Sequence, residues 1–210
     1  MPKTILEDTS AEIIVKKSKF IANLFYISSI EEVEIKLKEI KKKYYDAKHH
    51  CYAYSIMTNN GNINKMSDDG EPSGTAGAPM LNIINKNGLV NVLIVVTRYF
   101  GGVLLGTGGL VKAYSDATLN AIEKAKIINE QNGYEAEIIL DYSELERFTY
   151  FCQKNEITII KIDYDEKIKC NIEINEEEKD KIFNIKKEKS IKIENIKIIK
   201  EKNIRKNTEI

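Results

Sequence analysis

Apolar residues cluster near the start of the chain and then recur with a helical period. Residues 12–27 are rich in β-branched and aromatic side chains and predict one or two β-strands. Apolar residues then recur every three or four positions, as on one face of a helix, and Ser29 with Glu32 forms a capping-box pattern at its start. Residues 41–43 are lysines, which suit the last turn of that helix. The apolar face consists of Ile30, Val33, Leu37, Ile40 and Tyr44.

The next segment, residues 49–56, predicts a strand with two different faces. His49 and Cys51 share one face, and His50 lies on the opposite face because side chains alternate along a strand. Two adjacent histidines of a regular strand therefore do not ligate the same metal ion. Residues 59–62 predict a turn after this strand.

Residues 90–97 form an almost continuously apolar run. Such a run is typical of a strand that is covered on both faces, so we expect it at the centre of its sheet. A short helix is predicted before it over residues 79–85, with proline in the first turn. A longer helix is predicted after it over residues 110–126, with a stripe of alanines that allows close approach to the sheet.

A change of composition at residues 131–133 predicts a linker between two domains, which we assign to residues 1–131 and 134–203. The second domain has the order βαββαβ, the ferredoxin-like split unit, so the fold class is α+β. Its predicted elements are a strand at 134–140, a helix at 143–155, strands at 157–162 and 167–174, a helix at 176–185 and a strand at 191–199.

Charge and cysteine content narrow the classes of function. The 210 residues carry 32 basic and 32 acidic side chains, which argues against coating nucleic acid by bulk charge but allows a local patch. Residues 181–206 hold ten basic residues against three acidic ones. Such a tract either follows a phosphate backbone or, in the interpretation we favour, is one solvated face of a sheet or a frayed tail. Three cysteines without CxxC spacing predict reduced thiols rather than disulfides or a zinc module.

The sequence shows no secretion signal and no apolar run of 18 residues. We therefore expect a cytoplasmic protein that does not span a membrane.

Nine of the eleven glycines lie between Ser67 and Gly109, which makes this stretch the candidate site. Glycine is placed where the backbone takes a positive φ or approaches another group closely. The loop of residues 68–77 combines three carboxylates with hydroxyls and bare backbone. It suits a metal or general acid–base site, or equally the capping of the helix that follows.

The second glycine-rich segment, residues 101–109, follows the central strand and resembles an anion cradle. It matches neither the dinucleotide fingerprint nor the P-loop, so nucleotide hydrolysis is weakly supported. Arg98 and the aromatic residues after it have the chemistry to clamp a phosphate and stack a base. The alternative is two core aromatics beside a solvated arginine. Likewise, His49 and Cys51 form either a thiolate–imidazole pair or, more often, a buried cysteine beside a hydrogen-bonded histidine.

Three stretches together resemble the signatures of the IMPACT/YigZ family: HHCYAY at 49–54, SDDGEPSGTAG at 67–77 and VVTRYFGGVLLGTGGLVKAY at 95–114. The resemblance implies an N-terminal domain like domain four of elongation factor G and a C-terminal domain like its domain five, folds that contact ribosomal RNA. It also implies a link to translational control, because eukaryotic relatives bind a ribosome-associated activator of a starvation-sensing kinase.

Our leading hypothesis is a non-enzymatic, translation-associated binding module whose partner is RNA, the ribosome or a translation-associated protein, with no cofactor and no metal. The rival hypothesis is a hydrolase, metal-dependent or acid–base, that uses the three carboxylates with a histidine. A third is a protein adaptor whose loops are merely structural. The candidate ligand- or anion-binding residues are His49, His50, Asp68, Asp69, Glu71, Ser73, Gly74, Thr75, Arg98, Tyr99, Gly101, Gly102, Gly106, Thr107, Gly108 and Gly109.

Overall fold

A computed structural model describes residues 2–58 and 60–206, so Asn59 of the predicted turn lies outside the described residues. The chain divides into two compact units with the boundary between Asn129 and Glu130. This boundary lies within one long strand, and the predicted linker at residues 131–133 is wrong. Gly133 serves close packing instead of a turn, because a Cβ there would lie 2.7 Å from the carbonyl oxygen of Ile174.

Unit 1 contains a five-stranded antiparallel sheet in the order β2-β3-β6-β4-β5. Strand β6 is central, as predicted, and its residues 92–96 have no exposed surface. The prediction missed β5, because its sequence GNINKMS is mostly polar and almost entirely exposed. The elements are β1 Lys3–Ile5, β2 Thr9–Val15, β3 Ser18–Tyr26, α1 Ile30–Lys43, β4 His49–Thr58, β5 Gly61–Ser67, α2 Gly77–Lys86, β6 Val92–Tyr99, α3 Gly106–Glu123 and the first residues of β7 Ile127–Leu140, which pair with β1.

Helices cover both faces of this sheet, which explains why β6 is apolar throughout. On one face α2 and α3 pack over a core that includes Phe20, Met80 and Tyr114. On the other face α1 buries Val33 and Ile40. Full burial of an apolar side chain contributes about 1.5 to 3 kcal/mol, so both layers hold the sheet in place.

Helix α1 begins as predicted, with a difference in its cap. The amide of Glu32 donates to Ser29 Oγ at 3.2 Å. The Glu32 carboxylate accepts from the amide of Ser28 at 2.6 Å, one residue earlier than in the capping box. Residues 41–43 do form the basic last turn.

Helices α2 and α3 both begin earlier than predicted. Helix α2 starts at Gly77, and the proline at position 79 lies in its first turn, as predicted. Helix α3 starts at Gly106, so residues 106–109 are its first turn and not a separate glycine turn before it.

Unit 2 follows the predicted βαββαβ order, with sheet order β10-β7-β9-β8 and the neighbouring pairs β7–β9 and β9–β8 antiparallel. Phe148 and Cys152 of α4 and Ile182 of α5 are buried in its core. The elements are β7, a 3-10 turn at Tyr142–Glu144, α4 Leu145–Lys154, β8 Thr158–Tyr164, β9 Ile168–Ile174, α5 Glu176–Lys187 and β10 Ile193–Lys206. The α+β class in two units is confirmed, whereas the likeness of unit 1 to domain four of elongation factor G stays a prediction.

Candidate functional site

Four connecting segments of unit 1 lie at one end of its sheet. At this end β3 and β4 begin while β6 and β5 finish, because Lys19 pairs with Tyr99, His49 with Arg98, and Tyr52 with Ser67. We call this region the loop end. It comprises the β2–β3 turn at residues 16–17, the last turn of α1 with the α1–β4 loop at 41–48, the acidic loop at 68–76 and the β6–α3 loop at 100–105.

A buried polar network joins the acidic loop to the central strand. Nη1 of Arg98 donates to both carboxylate oxygens of Glu71, at 2.7 and 3.0 Å, and both side chains are buried. The hydroxyl of Tyr114 donates to Glu71 Oε1 at 2.8 Å. Arg98 is therefore neither the phosphate clamp nor the solvated arginine that the sequence suggested, since its charge is paired inside the protein.

Cys51 extends this network as a buried thiol. Its thiol donates to the carbonyl oxygen of Asp68 at 2.9 Å and lies 3.3 Å from the hydroxyl of Tyr114. Burial raises the pKa of the Cys51 thiol to about 12, and burial likewise raises the pKa of Tyr114. Among the hydrogen bonds of the described residues, none joins His49 to this thiol, and each group has other partners, which supports a buried cysteine rather than a thiolate–imidazole pair.

Asp68 caps helix α2. Its carboxylate accepts from the amides of Gly74, Ala76 and Gly77 at 2.8 to 2.9 Å. Burial alone would raise the pKa of Asp68, but these three donors hold it below its ordinary value. The same loop turns on itself, since the Thr75 hydroxyl donates to the carbonyl oxygen of Pro72 at 2.6 Å. Ser73, by contrast, is exposed.

Asp69 ties the acidic loop to α1 and β4. Its carboxylate accepts from the amide of His50 at 2.7 Å and lies 3.5 Å from Lys41 Nζ. With Asp68 capping a helix and Glu71 paired with an arginine, all three carboxylates have structural partners. In residues 2–58 and 60–206, no group of three or more His, Cys, Asp or Glu side chains is arranged to hold a metal ion.

The two histidines lie on opposite faces, as predicted. His49 Nδ1 donates to the carbonyl oxygen of Asp69 at 2.9 Å. His50 is buried, with Nδ1 3.0 Å from Thr97 Oγ1. Burial lowers the pKa of His50, against the opposing effect of the Asp69 charge. The His49 ring thus holds the acidic loop against β4, and the His50 ring links β4 to β6.

The candidate glycines divide into those that the backbone requires and two, Gly108 and Gly109, that have neither a positive φ nor a backbone atom against the Cβ position. A Cβ on Gly101 would lie 2.0 Å from the carbonyl carbon of Lys17, so this loop packs directly on the β2–β3 turn. Gly102 and Gly106 have positive φ. Gly108 has neither constraint and faces open space. A Cβ on Gly109 would meet only the side chain of Leu105, at 3.1 Å.

The first turn of α3 is uncapped. Its N-cap residue, Leu105, makes no side-chain hydrogen bond. In the described part of the chain, the amides of Gly106, Thr107 and Gly108 have no acceptor. A helix N-terminus of this kind attracts negative charge.

Comparison with known proteins places the chain in a family. Residues 16–122 match the Impact N-terminal domain, and residues 138–182 match a domain of unknown function, DUF1949. The chain belongs to the IMPACT family.

Several IMPACT family proteins resemble the chain over much of its length. The family member YvyE of Bacillus subtilis is 34% identical over 175 residues, covering 83% of this chain and 80% of that protein. YigZ of Escherichia coli is 39% identical over 124 residues, covering 59% of this chain and 58% of that protein. A crystal structure of a hypothetical protein matches with a TM-score of 0.64 and 26% identity, covering 95% of this chain and 98% of the other.

The loop end of this IMPACT family protein also carries residues that the sequence analysis did not select. Lys16, Lys17, Lys42 and Lys48 are exposed, and within the described ranges none has a carboxylate at ion-pair distance. Tyr45 is 84% exposed. These residues lie far apart in the sequence, so only the packing of the strands shows that they share one end.

Tyr99, the last residue of β6, and Phe100, which follows it, have different surroundings. The Tyr99 hydroxyl donates to Asp46 at 2.7 Å, and this bond raises the pKa of Tyr99 to about 12. Phe100 is 56% exposed. The guanidinium of Arg98 lies 5.6 Å from its ring centre and 5.4 Å from that of the buried Phe20.

Part of the basic tract of residues 181–206 is paired with carboxylates. Lys200 pairs with Glu135 and Lys202 with Glu173, while Lys181 pairs with Glu177 on α5 itself. This supports the interpretation as a solvated face. Within the described ranges, no helix is long and apolar enough to cross a bilayer. The cytoplasmic location stays a prediction.

Proposed function

We propose that this IMPACT family protein is a translation-associated regulatory protein that binds RNA, in particular RNA of the ribosome, through the loop end of unit 1. The link to translation comes from the family resemblance. The choice of RNA as the ligand, and of the loop end as the surface, rests on the charges and exposed rings of this chain.

The observation that carries the proposal is an excess of unpaired cations at the loop end. Within the described ranges, Lys16, Lys17, Lys42 and Lys48 face solvent without a carboxylate partner. Three acidic residues of the same end, Asp68, Asp69 and Glu71, are used by the α2 cap, by a hydrogen bond to β4 and by Arg98. The exposed carboxylate of Asp46 accepts from the Tyr99 hydroxyl. The surface therefore presents mainly positive charge, although the chain as a whole is neutral.

Two neighbouring features suit a phosphate backbone and its bases. The uncapped amides of α3 point outward from the first turn, where a phosphate oxygen is a good acceptor. The exposed rings of Tyr45 and Phe100 suit unstacked bases. Gly108 leaves room for a close approach to the helix end, since nothing lies within 4 Å of the Cβ position.

The hydrolase alternative finds no support in the carboxylates. Asp68, Asp69 and Glu71 each have partners that fix them in the fold, and the Glu71 carboxylate is buried. A general base or metal ligand needs a carboxylate that faces a substrate cleft.

Sedimentation with purified ribosomes at low salt tests the proposal. We expect the protein to pellet with ribosomes and the triple variant Lys16→Gln/Lys17→Gln/Lys48→Gln to remain mostly in the supernatant. The matched control is Lys86→Gln/Lys124→Gln/Lys126→Gln, which removes three exposed lysines from the opposite ends of α2 and α3. Absence of wild-type binding to ribosomes and to purified ribosomal RNA would refute the proposal, and equal losses in both triple variants would refute the assigned surface.

A further inference from the structure

We infer that Phe100 is a stacking platform for a base of single-stranded RNA, an inference that rests on the RNA binding proposed above. It specifies the ligand as an unpaired segment rather than a duplex, and it assigns the contact to one ring.

The Phe100 ring is held from within the protein while most of its surface faces solvent. It is 56% exposed, and the guanidinium of Arg98 lies 5.6 Å from the ring centre. Arg98 itself is fixed by two hydrogen bonds to Glu71 and by the buried ring of Phe20. A ring supported in this way loses little freedom when a base stacks on it, which favours binding.

The backbone after the ring is anchored as well. The amide of Gly101 donates to Ser18 Oγ at 3.1 Å, and the loop touches the β2–β3 turn so closely that a Cβ would not fit. This turn carries the exposed Lys16 and Lys17. A base on Phe100 would therefore have its own phosphates beside two cations, the combination found in single-strand binding grooves.

An unpaired strand fits this arrangement better than a duplex. The bases of a duplex are already stacked on each other, so their faces are not available to a side chain, whereas loops and single strands offer them. A protein partner is the competing occupant, because Val103 and Leu104 of the same loop are also exposed apolar residues. Such a partner would respond to the removal of any of these apolar side chains, but a base responds to the removal of the ring alone.

Fluorescence anisotropy with a labelled 12-nucleotide oligo(A) and a 12-base-pair RNA duplex tests the inference. We expect Phe100→Leu to weaken single-strand binding about five- to hundredfold, the effect of removing one base–aromatic stack. Duplex binding by the same variant should stay within about twofold of wild type. Two matched controls, Leu104→Ala in the same loop and Tyr150→Leu at a 66% exposed ring of unit 2, should leave both affinities unchanged.

The chain contains no tryptophan, which permits a direct second readout. Phe100→Trp creates a single indole, and its fluorescence should be quenched by oligo(A) with the same concentration dependence as the anisotropy change. Leu104→Trp should show no such quenching.

The outcomes separate the two proposals. Wild-type binding to RNA that Phe100→Leu does not weaken, or unquenched fluorescence of Phe100→Trp at saturating RNA, would overturn the stacking role alone. Equal weakening by Phe100→Leu and Leu104→Ala would indicate an apolar docking contact and also overturn it. A wild-type protein that binds neither RNA would refute the proposed function and the inference with it.

Discussion

The guanidinium of Arg98 and the carboxylate of Glu71 form an ion pair whose two side chains are only 7% and 3% exposed. One nitrogen, Nη1, reaches both oxygens at 2.7 and 3.0 Å. The pair connects the end of the central strand to the acidic loop and thereby fixes the shape of the loop end.

Breaking this pair should destabilise unit 1 severely. Arg98→Met leaves the Glu71 charge buried without its partner, and we expect a decrease of about 3 to 5 kcal/mol in the free energy of unfolding. Urea denaturation followed by circular dichroism measures it. Lys112→Met, which breaks an exposed pair with Asp116, serves as the control and should cost at most about 0.5 kcal/mol. A decrease below about 1 kcal/mol for Arg98→Met would contradict the structural role.

Two glycines of the same region should respond in opposite ways to alanine. Gly101→Ala forces a methyl group to within 2.0 Å of the backbone of Lys17, so we expect a destabilisation of several kcal/mol or failure to fold. Gly108→Ala adds a methyl group in open space inside a helix and should stabilise by up to about 1 kcal/mol. Thermal unfolding of the two variants distinguishes them, and similar melting temperatures would show that the close approach to Lys17 is absent.

Removing the Asp68 cap should destabilise the protein more than removing an exposed side chain of the same loop. Asp68→Ala leaves the amides of Gly74, Ala76 and Gly77 without their acceptor, and we expect a destabilisation of about 1 to 3 kcal/mol. Ser73→Ala, in the same loop but exposed, should change stability by less than about 0.5 kcal/mol. Equal effects of the two substitutions in chemical denaturation would argue against the cap.

His50 should make unit 1 less stable in mild acid. Burial lowers its pKa in the folded protein below the ordinary value of 6.5 that the unfolded chain retains. As the pH falls through 6.5, the unfolded state takes up a proton that the folded state does not, so the free energy of unfolding decreases until the folded pKa is passed. Measurements at about pH 7.5 and about pH 5.5, on either side of the ordinary histidine pKa, should show this decrease in wild type and a smaller one in His50→Asn. An unchanged decrease in the variant would assign it to other groups.

Local sequence patterns predicted most helices and strands, because the apolar residues of each recur with the period of a helix or a strand. The apolar run of residues 90–97 identified the central strand, and the Ser29 signal identified the start of α1. The polar strand β5 could not be found this way, since only its pairing with β4 makes it a strand.

The structure shows which candidate residues meet, whereas their role as a ligand site stays a prediction. The sequence indicated that the acidic and glycine-rich segments belong together, and Glu71 does meet Arg98 and Tyr114. Some carboxylates pair with groups inside the protein. Which ones do so depends on distances across the sheet, and no local sequence pattern encodes those distances. The positions of the exposed lysines could not be predicted locally either, because Lys17 and Lys48 come close to the β6–α3 loop only after β3, β4 and β6 pair.

The salt dependence of RNA binding tests the central claim most directly. For oligo(A), the slope of log affinity against log salt concentration should be negative, and its magnitude should shrink by about 0.7 for each phosphate that the protein no longer neutralises. Lys16→Gln/Lys17→Gln/Lys48→Gln should therefore reduce the slope by about 2, while Lys86→Gln/Lys124→Gln/Lys126→Gln leaves it unchanged. A slope that stays the same in the first triple variant, or falls equally in both, would contradict RNA binding through the loop end.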